Sequence, residues 1–158
     1  MQFPMEVVDN FLPDYYFKQL QSIIRGWPWF YEDNIISGDN RFQFTTAILN
    51  DYVIYKEQYA ALEPCISKLN VKKLFRIKAN LQTRTLFNRS GGYHVDKCPC
   101  PYTGVYYINT NNGYTKFKKG GKVKSVANRM VIFNSSLEHT GFSCTDEKIR
   151  IVVNFNWE

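Results

Sequence analysis

Apolar residues recur at two different periods along this chain, and the change falls near residue 74. In the first half, Tyr16, Phe17, Leu20, Ile23 and Ile24 fall at helical spacing and Gly26 offers a natural stop. A helix is therefore expected after the turn at 9–14. Tyr59, Leu62, Ile66 and Leu69 form a second stripe and predict a helix over about 55–69, kinked or interrupted at Pro64. Short strands are expected around these helices. One covers 3–8, a strand or packed loop covers 27–31, and an irregular strand covers 42–49 after a turn at 37–40.

From residue 74 the period becomes two. In the run 75–84 the odd positions are mostly apolar and every even position is polar. Phe75, Ile77, Ala79 and Leu81 would cover a core, while Asn80, Gln82 and Arg84 would face water or a cavity. The last strand, 148–157, repeats the pattern. Ile149, Ile151, Val153, Phe155 and Trp157 form an apolar face; Lys148, Arg150, Val152, Asn154 and Asn156 form the other. Between them, strands are expected over 93–96, 105–109, 114–117, 122–126 and 130–133, with a short one through 135–141. An apolar face suits packing on the two helices, and the opposite face should line water or a polar pocket. Helices followed by about eight short strands predict one mainly β (α+β) domain over 1–158. A sheet sandwich or jelly roll forms its core over 73–158, braced by a helical region over 1–72.

Composition narrows the class. With 44% hydrophobic and 22% charged residues in 158, the chain can bury a core and is not a disordered polymer. The aromatic share of 16% favours strands. A net charge of +6 permits an anionic substrate or nucleic acid without requiring either. The lysines at 116, 118, 119, 122 and 124 surround Gly120-Gly121 and read as a solvated hairpin tip. The start of the chain lacks a signal-peptide pattern and no apolar run reaches membrane length, so a cytoplasmic protein without membrane partners is expected. The four cysteines are expected as thiols. Cys98-Pro99-Cys100 lacks the usual zinc spacing and two further partners, and is read as an incidental loop feature.

Candidate chemistry centres on the only two histidines, His94 and His139. If His94 and Asp96 share a strand they project from one face, with Cα atoms roughly 6.6 Å apart. A His-x-acid pair is a weak signal in a chain with 14 acidic residues. Its weight comes from the company it keeps: a late His139, then Arg150 on the following strand, eleven residues on. Two histidines and a carboxylate cover one face of an octahedral ion and leave the opposite positions open, the arrangement of non-haem Fe(II) oxygenases.

Several stretches resemble the Fe(II)- and 2-oxoglutarate-dependent dioxygenases, within them the prolyl 4-hydroxylase-like branch. They are Arg76-Ile77-Lys78-Ala79-Asn80, Tyr93-His94-Val95-Asp96, Val105-Tyr106-Tyr107-Ile108-Asn109, Met130-Val131-Ile132-Phe133, and Glu138-His139-Thr140-Gly141 through Arg150. The likeness covers about 74–157, and the compact length is similar to dioxygenases encoded by bacteriophages, which would place the protein in a host cytoplasm. The resemblance implies a double-stranded β-helix with Fe(II) held by His94, Asp96 and His139. It also implies 2-oxoglutarate as cosubstrate with O2, its far carboxylate on Arg150, a hydrogen bond from Tyr107, and a back wall of Asn80, Gln82 and Arg84. Tyr106 would point into the helix-side core. Two departures stand out. Gly113-Tyr114-Thr115-Lys116-Phe117 replaces the family's Gly-Gly-x-x-Phe, and Arg84 stands where prolyl hydroxylases often carry tyrosine. The implied activity is hydroxylation with release of succinate and CO2. A peptidyl (prolyl) side chain is the first substrate class and a nucleobase the second. A non-catalytic jelly-roll binding protein and a cupin-like metal hydrolase or isomerase are the competing readings.

Overall fold

The computed structural model describes residues 5–158, and within them the two sequence periods become two kinds of layer. The first half carries β1 (Glu6–Val8), α1 (Asp14–Ile23), a 3-10 turn (Ile24–Gly26), β2 (Phe30–Glu32), β3 (Gln43–Asn50), β4 (Tyr52–Val53) and α2 (Lys56–Leu69). The second half carries β5 (Leu74–Thr83), β6 (Tyr102–Tyr107), β7 (Tyr114–Phe117), β8 (Lys122–Lys124), β9 (Arg129–Asn134), β10 (His139–Phe142) and β11 (Ile149–Trp157).

The larger sheet runs in the order β1-β9-β6-β11-β5-β3-β2, with β4 paired to β3; the smaller runs β10-β7-β8. All pairings are antiparallel, and β11, last in the chain, sits between β5 and β6 near the middle of the larger sheet. Its register sets Arg150 beside Gln82, Val152 between Asn80 and Tyr107, and Asn156 beside Arg76. Two antiparallel sheets of this connectivity, braced by helices on one outer face, make a jelly roll.

The helix-side face of the larger sheet is dry. Ile77, Ala79, Tyr106, Met130, Ile151, Val153, Phe155 and Trp157 pack against Phe17, Leu20, Ile24, Leu62, Cys65 and Leu69. Six of the sheet residues are the odd positions of β5 and β11, as the alternation predicts, and Tyr106 and Met130 join them from β6 and β9. Tyr106 points into this layer, edge-on to Phe11 and Phe17, and its hydroxyl donates to Asn128 Oδ1 at 2.6 Å. The same Asn128 amide accepts from Leu12 N and donates to Leu12 O, which ties the segment before α1 to the sheet. Between the sheets a smaller apolar cluster forms from Val105, Tyr107, Phe117, Val123, Val131, Phe133 and Val152.

Several expectations change. Seven strands follow the helices rather than about eight, because 93–96 joins no ladder, and among the described residues β4 is a short strand that the pattern did not predict. Pro64 lies inside α2 without ending it; the flanking Leu62 and Cys65 are fully buried, and that packing holds the turn despite the missing N–H. α1 tightens after Ile23 into the 3-10 turn, which carries the helical run to its stop at Gly26, while α2 ends on Asn70 in the left-handed conformation. The strand of 105–109 begins earlier, at Tyr102, and ends at Tyr107. Of the strand at 3–8, residues 6–8 are β1, and Phe3 and Pro4 lie outside the described residues. Cys98 and Cys100 stand side by side across Pro99, the turn bringing their Cα atoms to 5.3 Å; Cys65 and Cys144 are free and buried. No described helix is long and apolar enough to cross a membrane.

Candidate active site

Residues 93–96 do not form a regular strand. They run extended through one isolated bridge, in which His94 N donates to His139 O at 3.0 Å and His139 N to His94 O at 2.9 Å. The segment enters through Gly92, whose φ of +109° is open to glycine and strained for other residues, and leaves through Pro99 and Pro101, which cannot donate to a ladder. The two-residue alternation survives without the ladder. Tyr93, Val95 and Lys97 are exposed, whereas His94, Asp96 and Cys98 turn inward.

That parity delivers His94 and Asp96 to the start of β10, where His139 stands. One donor atom from each of the three lies within 4.8 Å of the others. The imidazole rings are 4.7 Å apart, and Phe133 packs edge-on to His139 at 4.8 Å. His139 Nδ1 donates to Leu137 O at 2.9 Å, so its proton is on Nδ1 and Nε2 presents a lone pair. Asp96 Oδ2 accepts from Thr103 Oγ1 and from Asn156 Nδ2, each at 2.7 Å, which leaves Oδ1 directed at His139 Nε2, 3.8 Å away.

The electrostatics of this pair point to a cation. Burial pushes the His139 pKa below its usual value, against the pull of Asp96, so the ring is neutral near pH 7. Burial works to raise Asp96, but His139, Thr103, Asn156 and Arg76 together hold it below the usual carboxylate range. A carboxylate oxygen and an imidazole lone pair therefore face each other with only 7–8% of either side chain exposed. Two acceptors in that position repel unless a cation or a proton lies between them. The donor set fits a divalent transition metal with imidazole and carboxylate ligands.

Arg150 lies farther along the same cavity and is 3% exposed. Its Nε donates to Ser125 Oγ at 3.0 Å, its Nη2 reaches Thr115 Oγ1 at 3.4 Å, and its guanidinium sits 5.7 Å from the Tyr107 ring centre. Burial depresses its pKa, yet a guanidinium stays charged. Among the described residues no carboxylate pairs with it. Gly113 makes room for the side chain, since a Cβ there would lie 2.7 Å from Arg150 Cδ. Tyr107 is fully buried, and its hydroxyl donates to Thr115 Oγ1 at 2.7 Å rather than opening on the cavity; it supports Arg150 from behind.

The cavity itself holds about 460 Å³ and is lined on the sheet side by the even positions of β5 and β11, Asn80 among them. Gln82 continues this wall beside Arg150, but Arg84 does not. β5 ends at Thr83, and Arg84, whose N–H donates to Lys148 O, turns its side chain out to solvent. The expected back-wall role of Arg84 is thus withdrawn, because alternation holds only while the ladder lasts.

Sequence reasoning missed Thr103 and Asn156 on Asp96, and Thr115 and Ser125 on Arg150. Asn156 carried a signal, since it shares the parity of Arg150 on β11. The others come from β6, β7 and the segment after β8, which only the fold brings close.

No protein-family model matches the chain, and no curated protein matches it in sequence. Solved structures do match in shape. A 2OG-Fe(II) oxygenase family oxidoreductase from Burkholderia pseudomallei superposes with a TM-score of 0.73 at 8% identity, over 98% of this chain and 84% of its own. A prolyl-4-hydroxylase from Pseudomonas putida gives 0.65 at 15%, over 98% and 92%. The fold is that of the 2OG-Fe(II) oxygenases. A prolyl hydroxylase from Trichoplax adhaerens, in complex with a hypoxia inducible factor peptide fragment, gives 0.64 at 14% identity, over 97% and 83%. The double-stranded β-helix expected from the sequence is the architecture observed, across the helical half as well as the β core.

Proposed function

We propose that the chain is an Fe(II)- and 2-oxoglutarate-dependent dioxygenase that hydroxylates its substrate and releases succinate and CO2. The observation that carries the reading is Arg150: a buried guanidinium without a counter-ion among the described residues, opening on the cavity that holds the His94, Asp96 and His139 donors. Burying such a charge unpaired is costly, and an anionic ligand relieves that cost.

In this reading His94, Asp96 and His139 hold Fe(II) on one face. The Leu137 carbonyl fixes the His139 tautomer, while Thr103 and Asn156 orient Asp96 so that Oδ1 faces the ion. Arg150 takes the far carboxylate of 2-oxoglutarate through its fork, held in place by Ser125, Thr115 and the Tyr107 ring. Bound there, iron and cosubstrate supply the oxidising power, and the oxygen atom reaching the substrate comes from O2. The surrounding chain excludes water and positions the target C–H bond beside the open metal face.

A peptide side chain is the substrate class this reading adopts, supported by the prolyl hydroxylase neighbours and by the peptide bound to one of them. A nucleobase fits less well: among the described residues no Phe, Tyr or Trp lines the cavity, so a flipped base has no stacking wall beyond the imidazoles of the candidate metal ligands. The test is succinate formation from 2-oxoglutarate with Fe(II), ascorbate and O2. Native protein should form succinate, and His139→Ala should form none above the protein-free rate. Equal succinate from both proteins would sink the reading.

A further inference from the structure

The cosubstrate accounts for only part of the cavity's positive charge. Arg76, Lys78, Lys97 and Arg150 all line it. Glu32 neutralises Lys78 at 3.0 Å. In the oxygenase reading, on which this inference rests, the divalent ion and Arg150 balance Asp96 and the two carboxylates of 2-oxoglutarate. Arg76 and Lys97 then remain over. Lys97 is exposed and screened by water, whereas Arg76 is half-buried on β5.

The position of Arg76 is specific. It pairs across the sheet with Asn156, and its Nη1 donates to Asn156 Oδ1 at 3.4 Å. The Asn156 amide in turn donates to Asp96. The guanidinium thus lies two hydrogen bonds from the candidate metal ligand. Arg150 is six residues from Asn156 along β11, a backbone span of roughly 20 Å, so the two cations are anchored at opposite ends of the cavity wall. Between them Asn154 Oδ1 is a buried acceptor without a partner among the described residues, on the cavity wall.

We propose that Arg76 binds a carboxylate or phosphate of the primary substrate, with Asn154 accepting a hydrogen bond from a hydroxyl or amide of the same molecule. The anion fixes the substrate at the end of the cavity away from Arg150 and holds a neighbouring carbon near the metal. Substrates with a charged group close to the reacting carbon are selected over neutral ones, because a neutral group would leave the guanidinium without a counter-ion.

The test uses protein loaded anaerobically with Mn(II) and 2-oxoglutarate, with uptake read from the loss of the free Mn(II) resonance signal. The probes are glycerol 3-phosphate, 3-hydroxypropionate and the neutral 1,3-propanediol, followed by relaxation of their own protons. At least one anionic probe should bind about tenfold more tightly than the diol. Arg76→Gln should abolish that preference, Arg76→Lys should retain part of it, and Lys119→Gln on the hairpin should leave it unchanged. The stronger of the two anionic probes tells a phosphate from a carboxylate substrate. Equal binding of charged and neutral probes, or a preference that survives Arg76→Gln, would overturn the proposal. Absence of Mn(II) and 2-oxoglutarate uptake would instead strike the oxygenase reading. In that case line broadening of the same probes on metal-free Arg150→Ala protein, with and without Arg76→Gln, still decides the role of Arg76.

Discussion

β11 has two faces with opposite chemistry, and they obey different rules. Ile151, Val153, Phe155 and Trp157 sit in the helix-side layer, all nearly inaccessible and packed against apolar neighbours. Arg150, Asn154 and Asn156 are on the other face, where, among the described residues, a buried cation has no counter-ion and an amide oxygen has no partner. The first face contributes stability through burial. The second withholds it: desolvated charges and unpaired acceptors cost free energy in the ligand-free protein and become favourable when a ligand satisfies them. One strand in the middle of the sheet therefore holds the fold together and presents the chemistry, two residues at a time.

The contrast should show most strongly on the apolar face. Phe155→Ala removes a fully buried ring and is expected to cost about 3–5 kcal/mol in urea unfolding. The opposite sign is expected next door. Arg150→Met should weaken 2-oxoglutarate binding by about 100-fold, measured by calorimetry, while leaving the melting temperature of ligand-free protein unchanged or higher. A marked destabilisation by Arg150→Met would mean that the guanidinium belongs to the packing rather than to a ligand.

Asn156→Ala removes one of the two groups holding Asp96 and should lower metal affinity about tenfold, read by competition with a chelator. The smallest effect concerns pH. Burial keeps His139 below its ordinary pKa, so the unfolded chain binds a proton more readily than the folded one. Ligand-free protein should lose stability as pH falls below about 6.5, the value for a free imidazole, down through the depressed folded-state value. His139→Gln should flatten that slope; an unaltered pH dependence would place its origin elsewhere.

The same contrast explains what the sequence could reveal. Alternation along β5 and β11 is local, and it sorted core from cavity correctly as long as both strands stayed paired. At Arg84 the ladder had ended and the parity lost its meaning. At 93–96 the inward and outward positions were legible although the strand was not, because parity needs only an extended chain while a ladder needs a neighbour. The His94, Asp96 and His139 grouping was legible from residue type, since a chain with two histidines leaves few alternatives. Thr103, Thr115 and Ser125 were not, being common residues on β6, on β7 and just after β8 that meet only in the folded sandwich. The closeness of Cys98 and Cys100 was also hidden, as it depends on how tightly the chain turns at Pro99.

The central claim is that one cavity takes Fe(II) on His94, Asp96 and His139 and 2-oxoglutarate on Arg150. Anaerobic titration of the purified protein with both, followed through the weak visible charge-transfer band of their chelate, tests it most directly. The account predicts a saturable band in native protein, none in His94→Ala, and saturation only at far higher 2-oxoglutarate in Arg150→Ala. A well-folded native protein that develops no band, or an Arg150→Ala protein that saturates like the native one, would contradict it.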